Sequence, residues 1–402
     1  MKKIINKPEQ VVDEMCRGLV MAYDGLDLLA KYRVITRKTA KTDKVALISG
    51  GGSGHEPAHA GFVGTGMLDA AVCGDVFASP SQMQVYNAIK AVNNPAGTLL
   101  IIKNYSGDVM NFQNAAFLAE LDGLETASVK VNDDIAVQDS LYTVGRRGVA
   151  GTVFVHKIAG AAAEAGNGLA EVRRIVQKAA DMVRSVGFAY SSCTVPAKGS
   201  PTFTLGDVEM EYGVGIHGEP GIRREQIVTA DELAQRMTAS ILDDLGISTK
   251  REVAVLINGF GATPLQELYI LNQAVLRILY DLDITVVRAL VGNFMTSTDM
   301  AGASVSIMEL DDELKKYLVM PCDAPALKVR GNEGPLRYLP PSVEDLKSVT
   351  PGGPGGGRGN NTVVGDTVDL ENMIFILETM AGAKSITNPI CATKSKKALS
   401  IS

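Results

Sequence analysis

The chain has 402 residues, 46% of them hydrophobic and 21% charged, which suits a globular protein with sizeable buried cores and excludes disorder throughout. With 39 Lys and Arg against 45 Asp and Glu, its net charge of −6 argues against nucleic acid as a partner. We find no secretory signal and no apolar run as long as a membrane span, so we expect a cytoplasmic protein that binds no membrane. Five widely spaced cysteines predict reduced thiols rather than disulfides or structural zinc.

Four apolar runs predict buried strands, at residues 45–48, 98–102, 253–257 and 284–287. Each run ends in a glycine-rich or polar turn, and helical patterns lie between them, most clearly at residues 169–186 and 265–279. Because unbroken apolar runs suit strands covered on both faces, this alternation predicts an α/β fold with mostly parallel or mixed sheets. The alternating residues 304–310 instead predict an antiparallel, half-exposed strand.

We expect two α/β domains, at residues 1–186 and 187–347, followed by a change of composition. Residues 348–368 include the run TPGGPGGGRGNN, which cannot build a core and predicts a flexible glycine-rich linker. Residues 369–402 are predicted to form a short helical tail, with one amphipathic helix at 369–380 and Asp369 at its N-cap.

A glycine-rich turn, GGGSGHEP at residues 50–57, directly follows the first of these strands. Strand ends in α/β sheets bind ligands, and glycines let backbone N–H groups approach them closely. A Walker A loop needs a lysine after its last glycine, but His55 follows Gly54. A dinucleotide-binding fingerprint needs glycine where His55 or Pro57 stands. The turn therefore indicates either a small-ligand site that is not a nucleotide site, or only a tight turn.

Other polar runs also follow predicted strands. Lys103 and Asp108, in KNYSGD, are expected at the same sheet edge as His55, unless they belong to a solvated loop. His217 lies in GVGIHGEPG, where the flanking glycines leave no large neighbour to bury its ring. In NGFGATPLQELY, at residues 258–269, Thr263 is predicted to cap the following helix.

The two remaining histidines carry weaker signals. His55 and His59 have the i, i+4 spacing found at zinc sites, but Pro57 lies between them and no third ligand is near. His156 lies in an apolar helical pattern, which indicates a structural residue. We therefore predict no metal site on this chain.

Together these runs resemble the dihydroxyacetone-binding subunit of the dihydroxyacetone kinases, the family also called glycerone kinases (DhaK-like). The resemblance extends over about 300 positions and rests on six runs, each in the order expected of the family: GGGSGHEPAHAGFVG at 50–64, KNYSGDVMNF at 103–112, GRRGVAGT at 145–152, GVGIHGEPGI at 213–222, NGFGATPLQELY at 258–269 and LVGNFMTSTDMAGAS at 290–304.

The resemblance implies a role for each candidate residue. A ring nitrogen of His217 adds to the ketone carbonyl of dihydroxyacetone and forms a covalent hemiaminal, while His55 acts as a hydrogen-bonding general acid or base. Lys103 positions the substrate, and Asp108 accepts the proton of the hydroxyl that is phosphorylated. The substrate hydroxyls are held by the turn before His55, at Gly52, Ser53 and Gly54.

The family also implies a division of labour. Mg-ATP or ADP is expected on a helical partner subunit, since this chain has neither a phosphate-cradling lysine loop nor an acidic triplet for magnesium. The phosphate donor is ATP or a phosphoenolpyruvate-dependent phosphotransferase relay. The linker and tail resemble the remnant of a fused ATP-binding domain, which slightly favours ATP. A homodimer is expected.

Two other functions fit the resemblance. The chain could be a dihydroxyacetone-sensing transcriptional co-activator, or a kinase subunit for a related ketose such as erythrulose. Asp108 favours the enzyme, because a sensor needs the ketone-binding histidine but no catalytic base.

Overall fold

Two six-stranded mixed sheets form the framework of the protein in the computed structural model, which describes residues 2–39, 41–138, 144–331, 334, 336, 338 and 339. The first sheet has the strand order β1-β2-β4-β3-β5-β6. Its strands β3, β4, β5 and β6 run parallel, whereas β1 and β2 pair antiparallel at one edge. The strands are β1 Leu26–Leu29, β2 Val34–Arg37, β3 Ala46–Ser53, β4 Ala70–Val76, β5 Thr98–Lys103 and β6 Thr126–Val131.

Helices cover both faces of the first sheet, as its unbroken apolar strands predict. Alternate residues of each strand point to opposite faces, so Ile48 and Leu100 pack with Val85 and Phe112 from one helical layer. Leu47, in contrast, belongs to a second core on the other face. The helices of this half are α1 Val11–Ala22, α2 Gln82–Val92, α3 Ser106–Leu121, α4 Thr152–Glu164 and α5 Leu169–Asp181.

The second sheet has the strand order β11-β10-β12-β7-β8-β9, and only β10 and β11 pair in parallel. Its strands are β7 Val183–Ala189, β8 Glu209–Tyr212, β9 Arg223–Gln226, β10 Glu252–Gly259, β11 Thr285–Gly292 and β12 Gly302–Leu310. The other elements are α6 Ala230–Leu245, α7 Leu265–Asp281, α8 Asp312–Val319, and a hairpin of β13 Cys322–Ala324 and β14 Leu327–Val329.

The second sheet has a core on each face. Val255 of β10 packs on Met237 and Leu271 from α6 and α7. Leu256 points the other way, into the large core that also holds Leu47 of the first sheet. This shared apolar core joins the two sheets, and burial of each large apolar side chain contributes about 1.5–3 kcal/mol.

The predicted helix at residues 169–186 is wrong in its second part. The helix ends at Asp181, and Val183 begins β7, which lies between β12 and β8. The apolar residues Val183 and Val186 fit a helical stripe in the sequence, but tertiary pairing places them in a central strand.

The strand at residues 304–310 is antiparallel, as predicted, but it is buried rather than half exposed. Its small polar residues are accommodated by side-chain partners. The Ser306 hydroxyl donates to Ser185, whose own proton goes to the Asp133 carboxylate. Ser304 accepts a hydrogen bond from Asn258. Because these hydroxyls pair inside the protein, alternation of polarity here does not mark a solvent-facing side.

The predicted cap at Thr263 is also wrong. Pro264 occupies the N-cap position of α7, with no side-chain cap. The Thr263 hydroxyl instead donates to the Gly302 carbonyl at 2.6 Å and lies 2.8 Å from the Gly302 N–H. Thr263 therefore ties the end of β10 to β12 rather than starting the helix.

The α/β fold class is confirmed. Residues up to Tyr338 form one compact unit that contains both sheets, and the predicted boundary between residues 186 and 187 stays a prediction. The predicted linker at 348–368 and tail at 369–402 lie outside the described residues. Among the described residues, no helix is both long and apolar enough to cross a membrane.

Candidate functional site

The carboxyl ends of β3 and β5 bring Lys103 and Asp108 against the glycine-rich turn. Lys103 is the last residue of β5, and Asp108 lies in the first turn of α3. A Cβ on Gly51 would lie 3.3 Å from Asp108 Oδ2 and 3.4 Å from Lys103 Nζ. The prediction that these residues share one sheet edge is therefore confirmed.

Lys103 and Asp108 are buried charges with open hydrogen-bonding capacity. Among the described residues, neither Lys103 Nζ nor Asp108 Oδ1 has a hydrogen-bond partner. Burial raises the pKa of Asp108, although the charge of Lys103 opposes that rise. Burial also lowers the pKa of Lys103. Unpartnered buried polar groups are costly, so a pair of them aimed at one space indicates a ligand site.

His55 and His217 face each other through their rings. Nε2 of His55 lies 3.3 Å from Nε2 of His217, and Nδ1 of His55 lies 2.9 Å from the Thr296 carbonyl oxygen. A carbonyl oxygen can only accept, so in neutral His55 the proton is on Nδ1. Nε2 of His55 therefore carries the lone pair and accepts a hydrogen bond from His217.

Both imidazoles are held neutral. Burial lowers the pKa of His55 and of His217 well below the ordinary value of 6.5, and the charge of Lys103 lowers both further. A cationic imidazole would lose hydration and meet a nearby ammonium group. Near pH 7 the pair therefore consists of two uncharged rings, and a neutral imidazole can act as a nucleophile.

The expectation that His217 has no large neighbours is wrong. Glycines do flank it in sequence, but three rings from elsewhere pack around its own ring. The ring centroid of His217 lies 4.4 Å from that of Tyr105, 4.7 Å from that of His55 and 5.4 Å from that of Phe77. These contacts leave His217 half-buried and limit the rotation of its ring.

The turn that carries the predicted hydroxyl-binding residues is held by several hydrogen bonds. Ser53 Oγ donates to the Gly74 carbonyl at 2.8 Å, and the Gly54 N–H donates to the Glu56 carboxylate at 3.0 Å. Gly54 has a φ of +97°, and a Cβ there would lie 2.7 Å from the Phe77 ring. Gly54 is therefore required by both its backbone conformation and the close approach of Phe77. Gly52 is confined by close approach alone, because a Cβ there would lie 2.7 Å from the Ala78 backbone nitrogen.

A loop of the second sheet completes the site. The Thr296 N–H donates to the His55 carbonyl at 3.1 Å, and the Thr298 N–H donates to the Gly54 carbonyl at 2.8 Å. Thr296 Oγ1 also donates to the Glu56 carbonyl at 2.8 Å. This loop, which follows β11, fixes the position and tautomer of His55, a role that the sequence did not indicate.

His59 and His156 form a separate buried pair. Nδ1 of His59 lies 2.9 Å from Nε2 of His156, which is on α4. Residues 55–59 form turns rather than a helix, so the i, i+4 spacing of His55 and His59 does not place them side by side on a helix face. Within the described ranges, no group of three or more potential ligands could hold a metal ion.

Comparison with known proteins identifies the family. Residues 17–326 match the model of the Dak1 domain, which covers well over half of the chain. This chain belongs to the Dak1 family. The resemblance predicted from the six sequence runs is thereby confirmed.

Relatives within this family carry consistent names. The chain is 52% identical over 314 residues to the "PTS-dependent dihydroxyacetone kinase 1, dihydroxyacetone-binding subunit DhaK" of Listeria innocua, a match that covers 78% of this chain and 95% of that one. It is 50% identical over 313 residues to the dihydroxyacetone-binding subunit of the PTS-dependent kinase of Lactococcus lactis, covering 78% and 94% of the two chains.

Solved structures agree with these relatives. The dihydroxyacetone kinase of C. freundii in complex with AMP-PNP and Mg2+ superposes with a TM-score of 0.77 at 35% identity. That match covers 85% of this chain and 63% of the other. The dihydroxyacetone kinase operon co-activator DhaQ superposes with a TM-score of 0.74 at 34% identity, covering 78% of this chain and 97% of the other.

Proposed function

We propose that this chain is the dihydroxyacetone-binding subunit of a dihydroxyacetone kinase and holds its ketone as a hemiaminal on His217. One observation carries the proposal: two neutral histidines face each other at 3.3 Å. Phosphate transfer to a hydroxyl of the bound ketone gives dihydroxyacetone phosphate. The activity is that of a phosphotransferase with an alcohol acceptor.

A covalent bond suits this substrate for physical reasons. Dihydroxyacetone is small and uncharged, so noncovalent contacts alone supply limited affinity. A bond from His217 to the central carbon adds affinity and fixes the orientation of the terminal hydroxyls. It also selects for ketones, since glycerol has no carbonyl carbon to which the imidazole can add.

His55 transfers the proton that moves during this addition. As Nε2 of His217 bonds to the carbonyl carbon, Nε2 of His55 takes the proton from that nitrogen. His55 then returns the proton to the former carbonyl oxygen, which becomes the hydroxyl of the hemiaminal. The adduct therefore has the combined mass of chain and ketone, and His55 ends as it began, with Nδ1 still bonded to Thr296.

Asp108 is the base for phosphoryl transfer, and Lys103 positions the substrate. Burial raises the pKa of Asp108, which makes its carboxylate a better proton acceptor from the attacking hydroxyl. Lys103, buried beside it, donates to a substrate oxygen and keeps Asp108 ionised. Both side chains then satisfy their open hydrogen-bonding capacity.

The turn at Gly52, Ser53 and Gly54 binds the substrate hydroxyls. Ser53 Oγ already donates to a backbone carbonyl, so it serves as an acceptor for a substrate hydroxyl. The Gly54 N–H donates to Glu56, so a hydroxyl that binds this amide displaces that carboxylate.

The nucleotide and its magnesium belong to a helical partner subunit. In this proposal the chain is a cytoplasmic homodimer. Light scattering tests this: the mass of a single chain at micromolar concentration contradicts it.

The names of relatives favour the phosphotransferase relay over ATP as the phosphate donor, because the Listeria and Lactococcus proteins are both called PTS-dependent. The dihydroxyacetone kinase of C. freundii, solved in complex with AMP-PNP and Mg2+, keeps ATP as the alternative.

A sensing role is the second candidate, because the chain superposes on the co-activator DhaQ with a TM-score of 0.74. A kinase for erythrulose is the third, since the chain is 39% identical to a D-erythrulose kinase of Mycolicibacterium smegmatis, of which it covers 57%. Asp108, buried beside Lys103, favours the dihydroxyacetone kinase over the sensor.

Reconstitution tests the proposal. The chain is mixed with a helical partner subunit, and product is measured with ATP or with the phosphoenolpyruvate relay, using dihydroxyacetone and erythrulose as acceptors. We expect dihydroxyacetone phosphate only when a partner and its donor are both present. Ketone binding without phosphorylation under every combination contradicts the kinase and supports the sensor.

A further inference from the structure

Arg147 is a buried arginine next to the site that the proposed reaction does not use. It lies between β6 and α4 and is only 2% exposed. Its Nε donates to Asp134 Oδ2 at 2.7 Å, its Nη1 donates to Glu219 Oε1 at 2.9 Å, and its Nη2 donates to the Gly213 carbonyl at 3.0 Å. All three guanidinium nitrogens are therefore engaged, and two of them hold the loop that carries His217.

Glu219 connects this guanidinium to His217. While Oε1 accepts from Arg147, Oε2 accepts from the His217 backbone N–H at 2.8 Å. The carboxylate therefore bridges the buried arginine and the histidine backbone. Arg147 holds the loop at Gly213, before the histidine, and at Glu219, after it.

Two glycines of the loop leave space for this ion pair and for the backbone conformation around it. A Cβ on Gly215 would lie 1.9 Å from Glu219 Oε1 and 2.7 Å from Arg147 Nη1, so any side chain there would displace both charges. Gly213, whose carbonyl faces Arg147, has a φ of +76°. The ion pair and the backbone path of the loop therefore both require glycine here, whether or not a ligand also approaches these residues.

Two other ion pairs, Lys44–Asp69 and Arg146–Asp244, are formed by residues outside this loop. Lys44 Nζ lies 2.6 Å from Asp69 Oδ2, and that carboxylate also accepts from the Leu47 N–H inside β3. Arg146, next in sequence to Arg147, pairs with Asp244 of α6 at 2.6 Å and 2.7 Å. Arg146 thus offers a matched control: an adjacent arginine with two charged hydrogen bonds outside the site.

We propose that Arg147 and Glu219 are positioning residues for His217, holding its backbone so that its ring meets His55 and the ketone carbonyl at bonding distance. This inference rests on the proposed function, since it concerns how fast the ketone adds to His217. The reacting atoms must meet within a few tenths of an ångström, so a small shift of the loop slows addition without removing any reacting group.

The test compares Glu219→Gln and Arg147→Lys with the control Arg146→Lys. Glutamine has the shape of glutamate, but its amide must turn an NH2 group toward one of the two donors, so one bond is lost. We expect each site variant to slow adduct formation by about tenfold or more, measured by intact mass after mixing with dihydroxyacetone. Arg146→Lys should remain within about twofold of the parent protein, because the Arg146 guanidinium pairs with Asp244 rather than with the His217 loop and lysine keeps its charge toward Asp244.

The double variant separates positioning from general destabilisation. If the two residues act through one ion pair, Arg147→Lys combined with Glu219→Gln slows the addition little more than either single change. Thermal unfolding of all variants is measured in parallel, because a purely structural role would lower the melting temperature without altering the adduct rate. Folded site variants that form adduct at the parental rate overturn the inference.

An error in the proposed function can be distinguished from an error in the positioning role. If the parent protein forms no adduct, the covalent role of His217 is wrong, whatever the variants do. The positioning role is then tested by a crystal structure of the Glu219→Gln variant. A His217 ring that stays at the parental distance from His55 contradicts it, and a displaced ring supports it.

Discussion

His55 and His217 place their Nε2 atoms 3.3 Å apart, although 162 positions separate them in the sequence. His55 follows β3 of the first sheet, and His217 lies between β8 and β9 of the second. Each sheet therefore supplies one member of the pair, and the Thr296 loop of the second sheet holds the first. The site forms only when the two sheets share their core, which makes ketone binding a sensitive reporter of the native fold.

The first prediction concerns the pH dependence of ketone addition. Because burial lowers the pKa of His217 well below 6.5, the nucleophilic neutral ring persists as the pH falls through that value. We expect the rate of adduct formation to stay level from about pH 7.5 to 6 and to fall only at lower pH. Rapid-quench mass spectrometry measures this profile. A midpoint at the ordinary pKa of free histidine would contradict a buried neutral pair.

The second prediction separates binding from transfer. Asp108→Asn keeps the size of the side chain but removes the base, so ketone binding should persist while phosphoryl transfer slows about 100-fold or more. Steady-state kinetics with the partner subunit and intact mass of the adduct give the two readouts. Equal turnover by the variant would make Asp108 a spectator and favour the sensing role.

The third prediction concerns stability at low pH. Burial, assisted by the charge of Lys103, lowers the pKa of His156 to about 3. Below about pH 6.5 the unfolded chain binds a proton at this position and the folded chain does not, so the free energy of unfolding falls by ~1.4 kcal/mol per pH unit. In His156→Leu this part of the slope is absent.

Urea unfolding between about pH 6.5 and 4.5 checks the difference, because the carboxylates and the buried histidines His55 and His217 are present in both parent and variant and cancel in the comparison. A variant whose stability falls with pH as steeply as that of the parent would show that His156 is not held neutral.

The fourth prediction concerns the nucleotide. We expect calorimetry of the isolated chain with Mg-ATP to show no binding in the micromolar range, because the nucleotide belongs to the partner subunit. Ketone phosphorylation by the chain alone, or micromolar heats with Mg-ATP, would contradict the division of labour. Addition of the helical partner provides the positive control.

The sequence predicted much of the site because the relevant signals are local. Lys103 is the last residue of β5, Gly54 and Asp108 lie within five positions of the ends of β3 and β5, and parallel neighbouring strands bring such positions to one edge. The strands themselves were recognisable as unbroken apolar runs, which a doubly covered sheet requires.

Features that depend on contacts between distant parts of the chain could not be predicted from the sequence, for physical reasons. Arg147 resembles any charged residue in a turn, and its burial depends on acceptors that lie 13 to 72 positions away, at Asp134, Gly213 and Glu219. The end of helix α5 at Asp181 is set by the pairing of β7 with β12, which no local pattern shows. The buried serines of β12 looked solvent-facing, since their partners lie on other strands.

The central claim is that His217 bonds to the ketone, and NMR tests it most directly. Protein with 15N-labelled histidine is mixed with dihydroxyacetone carrying 13C at its central carbon. The account predicts a tetrahedral 13C resonance with a one-bond coupling to histidine nitrogen in the parent protein, and its loss in folded His217→Ala. A parent spectrum that shows only free ketone and its hydrate, or the same coupled signal in the variant, would contradict it.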